Sequence, residues 1–94
     1  MSMTKKYRAL VVDDNEDGAK TFAAVLEVMG HTAAVVTDPR KAVAVALEKR
    51  PHIAFVDISM PHLSGYDLAI QLRGHFPRDQ LCIVAVSGHA DERS

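Results

Sequence analysis

Asp13 and Asp14 stand side by side directly after the apolar run Ala9–Val12, and Asp57 directly follows a second run, Ile53–Val56. A hydroxyl, Ser87, closes a later apolar run, Leu81–Val86. Carboxylates gathered in one place repel one another and share protons unless a cation sits among them. A hard divalent ion with oxygen ligands, Mg²⁺ above all, answers that need. Such an ion neutralises a pocket and orients a phosphoryl group, whose transfer depends on positioning and charge stabilisation. The plainer reading is local: an Asp after a strand is commonly a turn or cap residue, and Asp14 or Asn15 is placed to cap a following helix. An acidic pair after one run, a third Asp after another and a hydroxyl after a further one are harder to explain as caps alone.

These residues meet only if the elements between them bring the runs together. From Glu16 to Met29, Ala19, Phe22, Ala23, Leu26 and Met29 recur at three- and four-residue steps, one buried helix face. Gly30 is placed to close that helix in a left-handed conformation. Thr32–Val36 is the second β run. Asp38-Pro39 then reads as an N-cap followed by proline at the first helical position, opening a helix to about Glu48 that buries Ala42, Val43, Ala46 and Leu47. A third helix is expected near Ser64–Arg73, with Gly74 and Pro77 at its exit.

Four β runs separated by three helices predict an α/β fold with a parallel sheet and crossover helices. The first, third and fourth runs are continuously apolar, as in strands covered on both faces. In such sheets ligands bind beyond the carboxyl ends of the strands, where Asp13, Asp14, Asp57 and Ser87 would gather if those three strands are neighbours.

Composition narrows the function classes. The chain has 94 residues, 48% hydrophobic and 24% charged, with a formal net charge of −1. That is one domain, residues 1–94, with 1–7 expected as a flexible tail. The charge balance and the lack of a basic stretch argue against direct nucleic-acid binding. No apolar run approaches the roughly 20 residues a bilayer span needs, and none suits a signal peptide, so a cytoplasmic setting is expected. Cys82, the one cysteine, cannot form an internal disulfide and reads as a small core residue. The five histidines lack metal-ligand spacing. His31 and His52 read as loop or edge residues, and His62 and His89 as loop residues near the acidic rim.

The run Leu10-Val11-Val12-Asp13-Asp14-Asn15, the segment from Asp57 through Met60-Pro61 and Gly65 to Leu68, and Ala85-Val86-Ser87-Gly88 together resemble the receiver domain of two-component response regulators, chemotaxis regulators included. The likeness spans residues 8 to about 92. It implies a flavodoxin-like doubly wound parallel sheet and a phosphorelay. Asp57 would accept a phosphoryl group from a histidine kinase. Asp13, Asp14, Asp57 and the backbone carbonyl of Ser59 would hold Mg²⁺, and the Ser87 hydroxyl would bond a phosphoryl oxygen. Gly88 would leave room beside the phosphate, Met60-Pro61 and Gly65 would shape the loop after Asp57, and the Ser59 side chain would tune access of water.

Receivers of this family also carry a fourth helix, a fifth strand ending in a lysine, and a fifth helix. The lysines here are Lys5, Lys6, Lys20, Lys41 and Lys49, none after a late strand. The sequence therefore reads as an incomplete receiver: a fragment of a longer protein, such as a hybrid kinase or a regulator with an output domain, or a short form completed by self-association through the fourth strand. The expected role is that of a phosphoacceptor and not of a turnover enzyme. A degenerate receiver acting as a phosphorylation-independent binding module is the competing reading. A phosphatase with an Asp nucleophile ranks last, since its second acid, two residues on, is here Ser59.

Overall fold

In a computed structural model, which describes residues 5–59 and 64–86, four strands and three α-helices alternate along the chain. The strands are β1 (Arg8–Val12), β2 (Thr32–Val36), β3 (Ile53–Asp57) and β4 (Cys82–Val86), and the helices are α1 (Glu16–Val28), α2 (Ala42–Lys49) and α3 (Gly65–His75). All strand pairs are parallel, in the order β2-β1-β3-β4. The chain runs outward from β1 to β2, then crosses back over β1 to β3 and β4. The switch point lies between β1 and β3, so the first, third and fourth strands are neighbours as expected.

Strand alternation sends side chains to two cores. Leu10, Val12, Ala54 and Val56 meet Leu68, Leu72 and Phe76 on the α2–α3 side. Ala9, Val11, Ile53 and Phe55 meet Ala19, Phe22 and Leu26 on the α1 side. Buried on both faces, β1 is one of the two inner strands. For β4 the expectation of two covered faces fails. Its residues are half-buried or exposed, and Cys82, expected in the core, is exposed. Cys82 pairs in register with Ile53, which places it on the α1 side. There β4 has β3 along one side only, and its outer side has no strand partner among the described residues.

Local chemistry sets the helix ends. Asn15 caps α1, its side-chain oxygen accepting the Gly18 N–H at 3.0 Å, and Glu16 and Asp17 complement the positive end of the helix dipole. Asn15→Ala is expected to lower stability by about 1 kcal/mol, readable as a lower urea midpoint at unchanged slope. Gly30 has φ +100, the left-handed region expected of it. The second helix differs from expectation. Asp38 does cap, accepting the Arg40 N–H, but Pro39–Lys41 form a separate 3₁₀ turn closed by the Lys41 N–H to the Asp38 carbonyl, and α2 begins at Ala42. The third helix, capped by Ser64 accepting from the Asp67 N–H, continues through Gly74 to His75. Beyond it Arg73 donates to the carbonyls of Phe76 and Leu81, tying the turn into β4.

The amino end of β1 is held by its neighbours. Tyr7 and Arg8 donate their amides to the Nδ1 atoms of His31 and His52 at 3.1 and 2.9 Å. The Tyr7 ring lies against both imidazoles. Tyr7, the last residue of the expected tail, is thereby tied to the sheet. Both histidines are loop residues, as expected, and both lie at the end of the sheet opposite the acidic residues.

Candidate metal and phosphoryl site

Parallel pairing sets Val12 beside Val56, so the residues that follow, Asp13 and Asp57, leave the sheet at the same rim. Asp14 joins them. One carboxylate oxygen of each of the three residues lies within 4.8 Å of the others. The environment is graded: Asp14 is exposed, Asp13 half-buried, and Asp57 only 7% exposed. The acidic residues singled out by spacing are thus brought together by the fold. Ser87, Gly88, Met60, Pro61, His62 and His89 lie outside the described residues.

Electrostatics follow from that crowding. Burial raises the Asp13 carboxyl above its ordinary value of 3.8. The Asn15 amide, donating to Oδ1 at 3.0 Å, opposes the rise, while the Asp57 and Asp14 carboxylates add to it. Like charges held this close favour a proton or a cation among them. All candidate donors are carboxylate oxygens, the ligand set of a hard divalent ion such as Mg²⁺.

Asp57 is fixed more firmly than sequence spacing indicates. Its Oδ1 accepts the Ser59 amide at 2.9 Å and the Ser59 hydroxyl at 2.7 Å. The Ile58 amide donates to the Val86 carbonyl, anchoring the turn to β4. Gly65 packs against the same turn, where a Cβ would lie 2.5 Å from the Asp57 carbonyl oxygen and 2.7 Å from the Ile58 Cα. The loop-shaping role expected of Gly65 is therefore one of close approach and not of unusual backbone conformation, since among the described residues only Gly30 and Arg50 have positive φ.

A cavity of about 200 Å³ adjoins the carboxylates, walled by Gly18, Phe22, Phe55 and Val86. Phe22 and Phe55 meet edge to face at 4.8 Å between ring centroids. Phe22, expected only as part of a buried helix face, is half-buried and lines this cavity. The contact between residues 22 and 55 had no signal in the sequence, because it depends on where α1 lies over β3. The bond from the Ser59 hydroxyl to Asp57 likewise required the turn geometry. No helix among the described residues is long and apolar enough to cross a membrane.

Known proteins share this fold. The family model for the response regulator receiver domain matches residues 9–94. An uncharacterized 76.5 kDa protein of Thiocystis violacea is 31% identical over 88 residues, 94% of this chain and 13% of that protein. The transcriptional regulatory protein PrrA of Mycobacterium tuberculosis is 31% identical over 86 residues, 92% of this chain and 37% of PrrA. The chain thus spans well under half the length of these curated relatives. Among solved structures, a CheY-like response regulator receiver domain from Methylobacillus flagellatus superposes with a TM-score of 0.80 at 32% identity, over 93% of this chain and 74% of that one. NtrX from Brucella abortus, crystallised in complex with ATP, gives 0.79 at 29% identity, over 93% of this chain and 20% of that one. The four-stranded parallel sheet with its three helices agrees with these matches: the chain belongs to the response regulator receiver domain family.

Proposed function

We propose that this chain is the phosphoacceptor of a two-component phosphorelay, in which Asp57 receives a phosphoryl group from a phosphohistidine on a histidine kinase. The observation that carries the reading is the cluster of Asp13, Asp14 and Asp57 at the switch point, with Asp57 buried beneath the other two. A lone pair on an Asp57 oxygen forms the new O–P bond while the P–N bond to the donor imidazole breaks, and the imidazole leaves with that electron pair. Asp13, Asp14, Asp57 and the Ser59 carbonyl would hold Mg²⁺. When bound, that ion supplies positive charge against the phosphoryl oxygens. Ser87 would donate its hydroxyl to a phosphoryl oxygen. The walls of Phe22, Phe55 and Val86 restrict water on one side of the carboxylate.

The domain takes one phosphoryl group and passes on its effect, and is not a turnover enzyme. In a cytoplasmic setting its partners are a histidine kinase and, in a longer protein, an output domain or the rest of a hybrid kinase. That the match to this chain covers only 37% of PrrA and 20% of NtrX supports the second part.

Incubation with Mg²⁺ and acetyl phosphate is expected to add one phosphoryl mass to the chain, and Asp57→Asn is expected to abolish it. Absence of labelling in this chain but labelling of a version extended through the family's lysine would mark an incomplete receiver, and absence in both would favour the phosphorylation-independent binding module. Sustained hydrolysis of a phosphoester would point to a phosphatase.

A further inference from the structure

The amino end of β1 is fastened through two imidazoles as well as through the sheet ladder. The Tyr7 amide donates to Nδ1 of His31 at 3.1 Å, and the Arg8 amide to Nδ1 of His52 at 2.9 Å. The carbonyls of the same two residues accept the Thr32 and His52 amides at 3.0 and 2.8 Å. His31 precedes β2 and His52 precedes β3, so the strands on either side of β1 each supply one acceptor. A backbone N–H can only donate, so each Nδ1 offers a lone pair and each neutral ring carries its hydrogen on Nε2. A protonated imidazole has N–H on both nitrogens and no acceptor left. We propose that Tyr7 and Arg8 form a proton-sensitive latch, closed while His31 and His52 are neutral and opened when they take up protons.

The surroundings offer a proton no compensation. From the strand start the facing groups are the Tyr7 phenol and Arg8, whose guanidinium is committed to the Arg50 carbonyl at the end of α2. From α1 comes the Leu26 carbonyl, which accepts the His31 amide at 3.0 Å. From β4 comes the Cys82 thiol, which lines a cavity of about 280 Å³ together with Tyr7 and both imidazoles. None of the residues lining that cavity is acidic, and the ion pairs among the described residues, Lys20–Glu16 and Arg40–Asp38, involve neither ring. The Tyr7 ring lies 5.5 Å from the His31 ring and 5.6 Å from that of His52, and such a ring attracts a cation. The same proton, however, sets N–H against N–H at each imidazole.

Once the latch is open, its imidazoles are ordinary ones, which change charge near about pH 6.5. The open and unfolded chains then bind protons that the closed latch has no place for. Stability contributed by the latch is therefore present above that range and lost as pH falls through it. Opening removes Tyr7 from the wall of the cavity and leaves β1 to start beyond Arg8. The latch sits at the end of the sheet opposite the carboxylates and stands independently of the phosphoacceptor reading.

The test compares the full chain by NMR about one unit above and about one unit below that pH. Long-range ¹H–¹⁵N spectra at the higher pH are expected to show both rings as Nε2–H tautomers. Hydrogen-exchange protection of the Tyr7 and Arg8 amides, corrected for the intrinsic pH dependence of exchange, is expected to fall roughly tenfold at the lower pH, about one hydrogen bond each. Protection of Val11 and Val12 is expected to stay. His31→Asn with His52→Asn keeps an acceptor oxygen near each Nδ1 position and does not titrate, so its protection should persist at both pH values. His31→Phe with His52→Phe keeps the ring bulk without the acceptor and should be poorly protected at both. An Nδ1–H tautomer at either ring overturns the latch, as does protection of Tyr7 and Arg8 that does not change with pH. An equal loss at Val11 and Val12 overturns it as well, because the whole sheet then loosens. So does an Asn pair that loses protection as the wild type does. If the Asn pair fails to fold, the wild-type tautomers and the contrast between the Tyr7 and Val11 regions decide alone.

Discussion

Gly65→Ala is expected to lower stability by about 3 kcal/mol, the upper end of what over-packing costs. The added methyl would sit 2.5 Å from the Asp57 carbonyl oxygen and 2.7 Å from the Ile58 Cα. Both are backbone atoms, so no side-chain rotation relieves the overlap. Either α3 moves off the sheet, opening the core around Leu68 and Leu72, or the turn carrying Asp57 and Ser59 is displaced. At about 4–8 °C per kcal/mol for a domain of this size, the melting temperature should fall by roughly 12–24 °C. Labelling of Asp57 by acetyl phosphate should fall with it, even below the new melting temperature, because the same turn orients the Asp57 carboxylate. Gly74 on the same helix is the control. An added Cβ there has nothing within 4 Å, so Gly74→Ala should gain up to about 1 kcal/mol from helix propensity. Equal effects of the two substitutions, measured by thermal melts, would reject close approach as the reason for Gly65.

The second large effect is the exchange of charge repulsion for metal binding. In the metal-free protein the Asp13 carboxyl is raised above its ordinary 3.8 by burial first, and then by Asp57 and Asp14 against the opposing Asn15 amide. Between 3.8 and that raised value the folded chain holds a proton that the unfolded chain has lost. Stability contributed by this group therefore falls as pH rises through that window, and above it the ionised carboxylate carries its full cost. Asp13→Asn removes that charge, and the metal-free variant is expected to melt higher than the wild type at pH 7. Mg²⁺ should reverse the order. At a hundredfold excess over its Kd, a ligand bound only by the folded state stabilises by about 2.7 kcal/mol, roughly 10–20 °C here. Asp13→Asn should lose most of that gain. In the wild type the gain should fade as pH drops towards the raised Asp13 value, where protons compete with the ion. Melting curves with and without Mg²⁺, at neutral pH and near pH 4, check each part. A variant that melts no higher without metal, or keeps the full Mg²⁺ response, would contradict this account.

Much of the molecule was legible in order of residues alone, because its signals are local. Helix periodicity from Ala19 to Leu26, the caps at Asp38 and Gly30, and the apolar runs ending in Asp13, Asp57 and Val86 all arise between residues a few positions apart. Even the meeting of Asp13, Asp14 and Asp57 followed once the pattern was read as a parallel sheet, since strands of one direction end at one rim. What the tertiary structure alone decided depends on which element lies over which. Cys82 has the type of a core residue, yet it is exposed because β4 is an edge on the side where α1 covers its neighbours. Gly65 looked like a turn residue, and only the approach of α3 to the Asp57 turn shows that it is there for lack of a side chain. Phe22 reaches the acidic site, and His31 and His52 seal the start of β1, through contacts between positions 24 to 44 residues apart. The Ser59 hydroxyl on Asp57 spans only two residues, but its direction is set by the anchor of Ile58 to β4. Sequence patterns report the conformation of a segment; which atoms meet across segments is fixed by packing, and that is where the Asp57 carboxylate acquires its orientation.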